Sequence, residues 1–486
     1  MSENLSGLSP SALWHHFYTL TRMPRPSGKE AAARAFIAAF ATDLGLENFV
    51  DLSGNLIIRK PASEGMERRK GVILQAHLDM VPQKNSGRVH DFERDPIEPI
   101  VDGGWVRANG TTLGADNGLG VAAIMAVLES PSLRHGPLEA LLTVDEERGM
   151  IGAMGLKPGV LRGQILLNLD SEDEGELFIG CAGAVNATTA FSYEWQLLPY
   201  GYTGFTIAVT GLRGGHSGMD IHLGRGNANK IMNRILYHGH ISSGLRVASV
   251  EGGSLRNAIA RESFAHVAIP SDSAGDFLDR IGLWSREIEG ELAHAEPDLN
   301  IEAEHARLPD WVIEEAIALK FLRAIYGCPN GVMQMSSDMR GVVESSTNLA
   351  IVRTEKGVIT IENLLRSSVD SARDDLRTMM QCLFDLAGAE TLFDGSYPGW
   401  KPDPDSSILK VMRDAYQRRF GKIPETRAVH AGLECGIIGA SYPALEMVSF
   451  GPTIRHPHSP DERVDIASVG KFWEFLVETL EHIEER

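Results

Sequence analysis

Five short stretches of the chain carry carboxylates and imidazoles where they could hold cations or move protons. In Gln75-Ala76-His77-Leu78-Asp79-Met80, His77 and Asp79 lie two apart, so on extended backbone their side chains project from one face. A neutral imidazole there can ligate a metal while the nearby carboxylate receives its other ring N–H, which fixes the tautomer and raises ligand basicity. A strand-end pair bonded only to backbone has the same pattern. Asp116 sits at the centre of a Gly-punctuated loop, Thr111-Thr112-Leu113-Gly114-Ala115-Asp116-Asn117-Gly118, that enters a helix. It reads either as a bridge between two cations or as a helix N-cap. Asp145-Glu146-Glu147 follow an apolar run, as solvated surface charge or as acids with divided roles, one holding metal and its neighbour taking a proton from water. Asp170 ends a run, Leu166-Leu167-Asn168-Leu169, that would bury it at high cost unless it is paired. The Pro-stiffened stretch Gly451-Pro452-Thr453-Ile454-Arg455-His456-Pro457-His458 presents two histidines, either of which also suits plain surface. The joint order H-x-D, D, E-E, D, H carries more than any member, because ordinary readings would have to coincide at five places.

Positioning such a set requires buried strands. Val72-Ile73-Leu74-Gln75-Ala76, Ala140-Leu141-Leu142-Thr143-Val144 and Ile165-Leu166-Leu167-Asn168-Leu169 are short apolar runs suited to strands covered on both faces. A helix over 120–128 lies between the first two, and helical spacing over 8–21 precedes a break at Met23-Pro24-Arg25-Pro26-Ser27-Gly28. This alternation predicts an α/β class with a mixed, largely parallel sheet, whose ligands gather at the carboxyl ends of its strands. After about residue 187 the texture changes. A strand over 205–209, helices over 229–237 and 311–326, a strand over 359–365 and a helix from near 371 follow, the last with Leu376, Met379, Met380 and Leu383 as its apolar stripe. The two methionines are read as core. A Pro-rich hinge candidate at 397–404 closes this section, and a strand at Met447-Val448-Ser449-Phe450 and a helix over 466–483 can rejoin the first part. The expected organisation is therefore a catalytic domain over 1–187 and 398–486, interrupted by an inserted α+β lid over 188–397.

At 486 residues the chain exceeds what one core usually organises, which fits that division. A formal net charge of -19, from 46 Lys+Arg against 65 Asp+Glu, argues against nucleic acid or anionic membrane as a partner, since both need a basic surface. Four scattered cysteines form no CxxC pair and read as reduced. The start, Met1-Ser2-Glu3-Asn4-Leu5, has no basic n-region before an apolar core, so a cytoplasmic location is expected.

These motifs in this order resemble the dinuclear zinc peptidase family that contains aminoacylases, carboxypeptidase G-type enzymes and cytosolic dipeptidases. The stretches QAHLDMVPQKN, GTTLGADNG, GLRGGHSGMDIHLGRGNANK, SLRNAI, HAGLECG and GPTIRHPHSPDERV resemble, more narrowly, its aminoacyl-histidine dipeptidase (peptidase D) branch, nearly end to end. The resemblance implies His77 and Asp170 on one zinc, Glu147 and His458 on the other, and Asp116 bridging both. It makes Asp79 the residue that orients His77 and Glu146 the general base. It points to His216 as a lid donor to the oxyanion, from the same chain or a partner's. Asn257 and Arg366 become contacts for the substrate's C-terminal carboxylate, where a guanidinium pairs bidentately, or a lid-packing polar pair. Glu434 would meet the substrate's free amine. The implied cofactors are two divalent cations, zinc with cobalt or manganese as alternatives. The implied partner is a small peptide substrate, and the long lid is expected either to form a homodimer with a second copy or to hold its own internal substitute for a partner's contact. Three functions are weighed: a dipeptidase for Xaa-His dipeptides including carnosine; an N-acyl amino acid hydrolase or carboxypeptidase with the same site; and a catalytically silent, metal-stabilised binding protein, against which an intact Glu146 beside a full ligand set speaks.

Overall fold

The apolar runs become strands without an exposed residue: Val72–His77, Leu138–Thr143 and Ile165–Asn168 are buried along their whole length. Strands covered on both faces gain apolar burial at every position, so no alternation is needed. In the computed structural model, which describes residues 5–355 and 357–486, they form the middle of an eight-stranded sheet. Its order is Glu47–Val50, Leu56–Lys60, Leu138–Thr143, Val72–His77, Ile165–Asn168, Glu446–Ser449, Glu176–Cys181, Glu425–Val429. The four central strands run parallel, from Leu138–Thr143 through to Glu446–Ser449, and the pairings on either side of them are antiparallel. The sheet is thus mixed around a parallel centre, and the carboxyl ends of the central strands share one edge. The residues Met1-Ser2-Glu3-Asn4, on which the reading of the chain's start rests, lie outside the described part.

The helix Ala115–Glu129 is buried nearly all round, and its Gly and Ala residues allow this close packing against the strand Val72–His77 and the helix Ser11–Thr21. Asp116 and Asn117 depart from helical φ/ψ, so the regular helix begins after them. A four-stranded antiparallel sheet, Ile454–Arg455, Arg463–Asp465, Trp105–Ala108 and Pro99–Asp102, carries the loop between its first two strands, on which His456 and His458 sit.

Two compact units make up the chain: Met1–Gly180 with Pro402–Ala428 and Leu433–Arg486, and Cys181–Lys401 with Val429–Gly432. Residue 187 lies inside the strand Gly183–Ser192, which pairs along its length with Val358–Ser367. The second unit therefore takes in the chain from Cys181, and the Ala182 amide bonds the Ala431 carbonyl at 2.9 Å where the segment Val429–Gly432 returns to it. Its nine-stranded sheet is antiparallel at every pairing, and one apolar cluster joins strand residues Phe191, Phe205 and Val267 to helix residues Met232, Phe277, Phe321 and Phe384.

Two local expectations need correction. The helix expected over 311–326 starts only at Glu315, because buried Val312 and Ile313 pair instead with Trp195–Gln196. Met380 is core, but Met379 is 40% exposed, since the helix Asp370–Ala387 turns its adjacent residue outward. Among the described residues no helix is long and apolar enough to cross a membrane.

Candidate metal centre

The parallel strands end together, and their ends hold the predicted groups. His77 closes its strand and is buried, and its register partner Thr143 closes the neighbouring strand just before Asp145-Glu146-Glu147. Asp170 follows the next strand. His77 Nε2 lies 2.9 Å from Asp116 Oδ1 and 3.3 Å from Asp170 Oδ1. His458 Nε2 lies 3.2 Å from the other Asp116 oxygen and 3.0 Å from Glu147 Oε2. Of four groups among the described residues whose ligand atoms lie within 4.8 Å of one another, two are donor sets that meet at one carboxylate, His77 with Asp116 and Asp170, and Asp116 with Glu147 and His458. Asp116 belongs to both. All five residues lie in one unit, although the sequence separates His77 from His458 by most of its length.

The electrostatics are those of a place for cations. Burial disfavours charge on His77, yet the Asp170 charge and the hydrogen bonds of Asp116, Asp170 and Asp79 carry its pKa well above the ordinary value. Hydrogen bonds that the His458 ring donates to Asp116 and Glu147 push its pKa up to about 11. In both halves the carboxylates recruit positive charge, which a divalent ion supplies while releasing the protons. Buried Glu147 Oε1 also has no hydrogen-bond partner, which is costly for a carboxylate oxygen unless a cation sits against it. The donor set of imidazole nitrogens and carboxylate oxygens accepts zinc, cobalt or manganese alike.

Asp79 is fully buried, 3.4 Å from His77 Nδ1, and accepts the backbone N–H groups of Glu146 at 3.0 Å and Glu147 at 3.2 Å. Burial raises its pKa, but the His77 bond and charge and the Glu146 amide overcome this and hold it ionised. One carboxylate thus fixes both the imidazole and the turn bearing the two glutamates. For Glu146, burial, followed by the charges of Asp170, Glu434 and Glu147, carries the carboxyl well above its usual range against the pull of His77. A carboxyl whose pKa is raised in this way is a better proton acceptor than an ordinary glutamate, as a general base requires.

Behind the strand ends runs a buried polar chain. Ser171 pairs with Ser449, Ser449 with Asn168, Asn168 with Gln75, and Gln75 donates to Glu434 Oε2 at 2.6 Å. Thr143 Oγ1 donates to the same oxygen at 2.7 Å. Glu434 Oε1 has no partner, and burial pushes this carboxyl up to about 7.

The other predicted residues lie in the second unit. His216 Nδ1 accepts the backbone N–H of Gly218 at 3.1 Å and of Met219 at 3.0 Å, which leaves Nε2 as the protonated donor nitrogen of a neutral ring. Burial, then the Arg366 charge, lowers its pKa and favours that neutral form. Arg366 is buried, donates to the Tyr397 hydroxyl at 3.1 Å, and leaves its Nε–H without a partner. Asn257 is exposed, and its carbonyl accepts the Ser217 amide at 2.8 Å.

Sequence reasoning missed Arg25 and Glu462, which hold the backbone of the Asp116 loop. Arg25 lay in what read as a helix break, and Glu462 fell inside the stretch GPTIRHPHSPDERV without being singled out. An arginine locked between two prolines was the one signal available.

The model for peptidase family M20/M25/M40 matches residues 73–482. The chain belongs to this family. It is 46% identical over 490 residues to the cytosol non-specific dipeptidase of Escherichia coli (strain K12), covering 99% of both chains. The crystal structure of aminoacylhistidine dipeptidase from Vibrio alginolyticus superposes with a TM-score of 0.95 at 46% identity, over 100% of this chain and 99% of that one. Aminopeptidase PepT from Bacillus cereus ATCC 10987 shares the fold at 17% identity, with a TM-score of 0.57 over 98% of this chain and 99% of that one. This member of the M20/M25/M40 family is a metallopeptidase-fold hydrolase with candidates for a dinuclear site.

Proposed function

We propose that the protein is a metal-dependent dipeptidase that hydrolyses unblocked dipeptides, Xaa-His dipeptides including β-alanyl-histidine among them. The observation that carries this reading is the Asp116 carboxylate, one oxygen against His77 and the other against His458. End-to-end similarity to two dipeptidases supports the substrate class.

His77 and Asp170 would hold one divalent cation and Glu147 and His458 the other, with Asp116 available to both; zinc is the proposed metal. When bound, such a pair would supply Lewis-acid polarisation of a scissile carbonyl and would lower the pKa of a water. Glu146 accepts the proton of the attacking water at its carboxylate and returns it to the leaving amine nitrogen, a role its raised pKa supports. Asp79 holds His77 and the Glu146-Glu147 turn in place. Glu434, with one oxygen tied and one without a partner, accepts the substrate's ammonium. His216 offers its Nε2–H to the oxyanion, and Arg366 with Asn257 binds the terminal carboxylate, the unpartnered Arg366 Nε–H supporting that assignment. In this reading the unit from Cys181 to Lys401 serves as an inserted lid, through which a homodimer forms, and the enzyme works in the cytoplasm.

The test is turnover of a dipeptide panel, β-alanyl-histidine included, against N-acetylated and longer peptides with added zinc, manganese or cobalt. Preference for free-amine dipeptides is expected. Preference for N-acylated amino acids would make the protein an amidohydrolase, preference for longer peptides a carboxypeptidase, and no turnover with any metal a binding protein.

A further inference from the structure

Asp116 is the one residue shared by both donor sets, and the helix that follows does not fix it, because its φ of -80° and ψ of 111° are non-helical. What holds it is a pair of buried charged side chains, Glu462 from the loop that carries His458 and Arg25 from the segment that follows the helix Ser11–Thr21.

Glu462, 2% exposed, accepts four consecutive backbone N–H groups, from Leu113 at 2.6 Å, Gly114 at 2.9 Å, Ala115 at 2.8 Å and Asp116 at 3.3 Å. It sits on the same loop as His458, between the paired strands Ile454–Arg455 and Arg463–Asp465. One carboxylate therefore locks the His458 loop to the Asp116 loop. Arg25, also 2% exposed, donates to the carbonyls of Leu78 and Asp79, both at 2.9 Å, and of Gly114 at 2.5 Å. One guanidinium therefore locks the strand end that follows His77 to the same loop. The sequence leaves room for it: a Cβ at Gly114, whose φ is +69°, would lie 2.7 Å from Arg25 Nη2, and one at Gly118 would lie 2.5 Å from it.

We infer that Arg25 and Glu462 are positioning residues for the bridging carboxylate, with Glu462 setting its reach to the His458 side and Arg25 its reach to the His77 side. The two act on different cation positions of one centre, which rests on the dinuclear reading above. Each side chain does this by matching its geometry to several backbone groups at once: a carboxylate has acceptors enough for four amides, and a planar guanidinium has donors enough for three carbonyls.

The experiment is calorimetric titration of the metal-free full chain with zinc alone, with far-ultraviolet circular dichroism to monitor folding. Glu462→Gln keeps the shape but turns part of the acceptor surface into a donor facing backbone N–H groups. It should weaken one of the two zinc-binding steps about 10–100-fold, the size seen when a ligand's supporting partner is removed. In a His458→Ala background, which already lacks that position, adding Glu462→Gln should change the remaining step by no more than about twofold. Arg25→Lys keeps the charge but not the three-way reach and should weaken the other step, so the inference stays exposed should either variant fold poorly. Glu139→Gln is the control: this carboxylate is buried and accepts two amides, from Arg162 at 2.6 Å and Gly163 at 2.7 Å, at the opposite end of the sheet. It should leave both steps as they are. Two wild-type steps in the Glu462→Gln variant, or an equal loss at both steps, overturns the positioning role. Fewer than two steps in the unmodified chain overturns the dinuclear reading instead.

Discussion

Replacing Asp79 by asparagine removes one charge and one acceptor from a fully buried position without changing its size. In the structure Asp79 makes two backbone hydrogen bonds, to the amides of Glu146 and Glu147, and faces His77 Nδ1 at 3.4 Å. Asparagine has one oxygen for these. With its oxygen on the Glu146 amide, its NH2 group faces the Glu147 N–H, donor against donor, and His77 loses its anionic partner. Loss of one hydrogen bond to a charged group costs about 1.5–3 kcal/mol, and the stranded buried N–H costs a further ~1–3 kcal/mol. Relief by small backbone shifts returns part of this, so a destabilisation of about 2–5 kcal/mol is expected. The turn bearing Glu146 and Glu147 shifts with it, and kcat/KM for a free-amine dipeptide should fall about 10–100-fold. Urea unfolding, steady-state kinetics and zinc content measured on the same preparation test this together. An Asp79→Asn protein with unchanged stability and turnover would show that Asp79 does not organise the site.

Glu146→Ala should keep both metals and lose about 10²–10⁴-fold in kcat, whereas Asp116→Ala should lose metal as well; metal analysis beside kinetics separates them, and the opposite pattern refutes the division of roles. Arg366→Ala should raise KM about 10–100-fold for dipeptides, the worth of a lost charge-assisted bond, and a dipeptide whose C-terminus is amidated should lose nothing further in the variant. His430, whose ring bonds Ser346 at 2.7 Å, is held neutral by burial, with the Arg366 charge adding to it, at a pKa of about 3 against 6.5 unfolded. The unfolded chain takes up this proton first as pH falls, so the stability His430 provides is complete above pH 6.5 and is lost between there and pH 3, at up to about 1.4 kcal/mol per pH unit. His430→Gln should flatten that limb in pH-dependent urea unfolding, and an unchanged slope would mean that His430 is not held neutral.

His77, Glu147 and Asp170 were legible in the sequence because each ends or follows a buried apolar strand, and parallel strands must end on one edge; Asp116, in a Gly-punctuated loop, and His458, on a Pro-stiffened loop, were legible only through the joint order of the motifs. Glu434 was legible only through resemblance, since a glutamate on a short helix shows nothing of the Gln75 and Thr143 groups that hold it. Arg25 and Glu462 were not legible. Their partners are backbone groups 53 to 349 residues away, and a carbonyl or an amide leaves no mark in side-chain pattern. The helix start at Glu315 was misread because two buried residues, Val312 and Ile313, satisfy helical and extended spacing equally over so short a run. The division into units near residue 181 was visible as a change of texture, but its position depends on which sheet the strand Gly183–Ser192 joins, and that is a tertiary choice.

The central claim is tested most directly by anomalous diffraction at the zinc edge from crystals of the zinc-loaded protein. The account predicts two peaks flanking the Asp116 carboxylate, one against His77 and Asp170 and the other against Glu147 and His458. A single peak, or peaks that leave Asp116 outside the coordination of either ion, would contradict it.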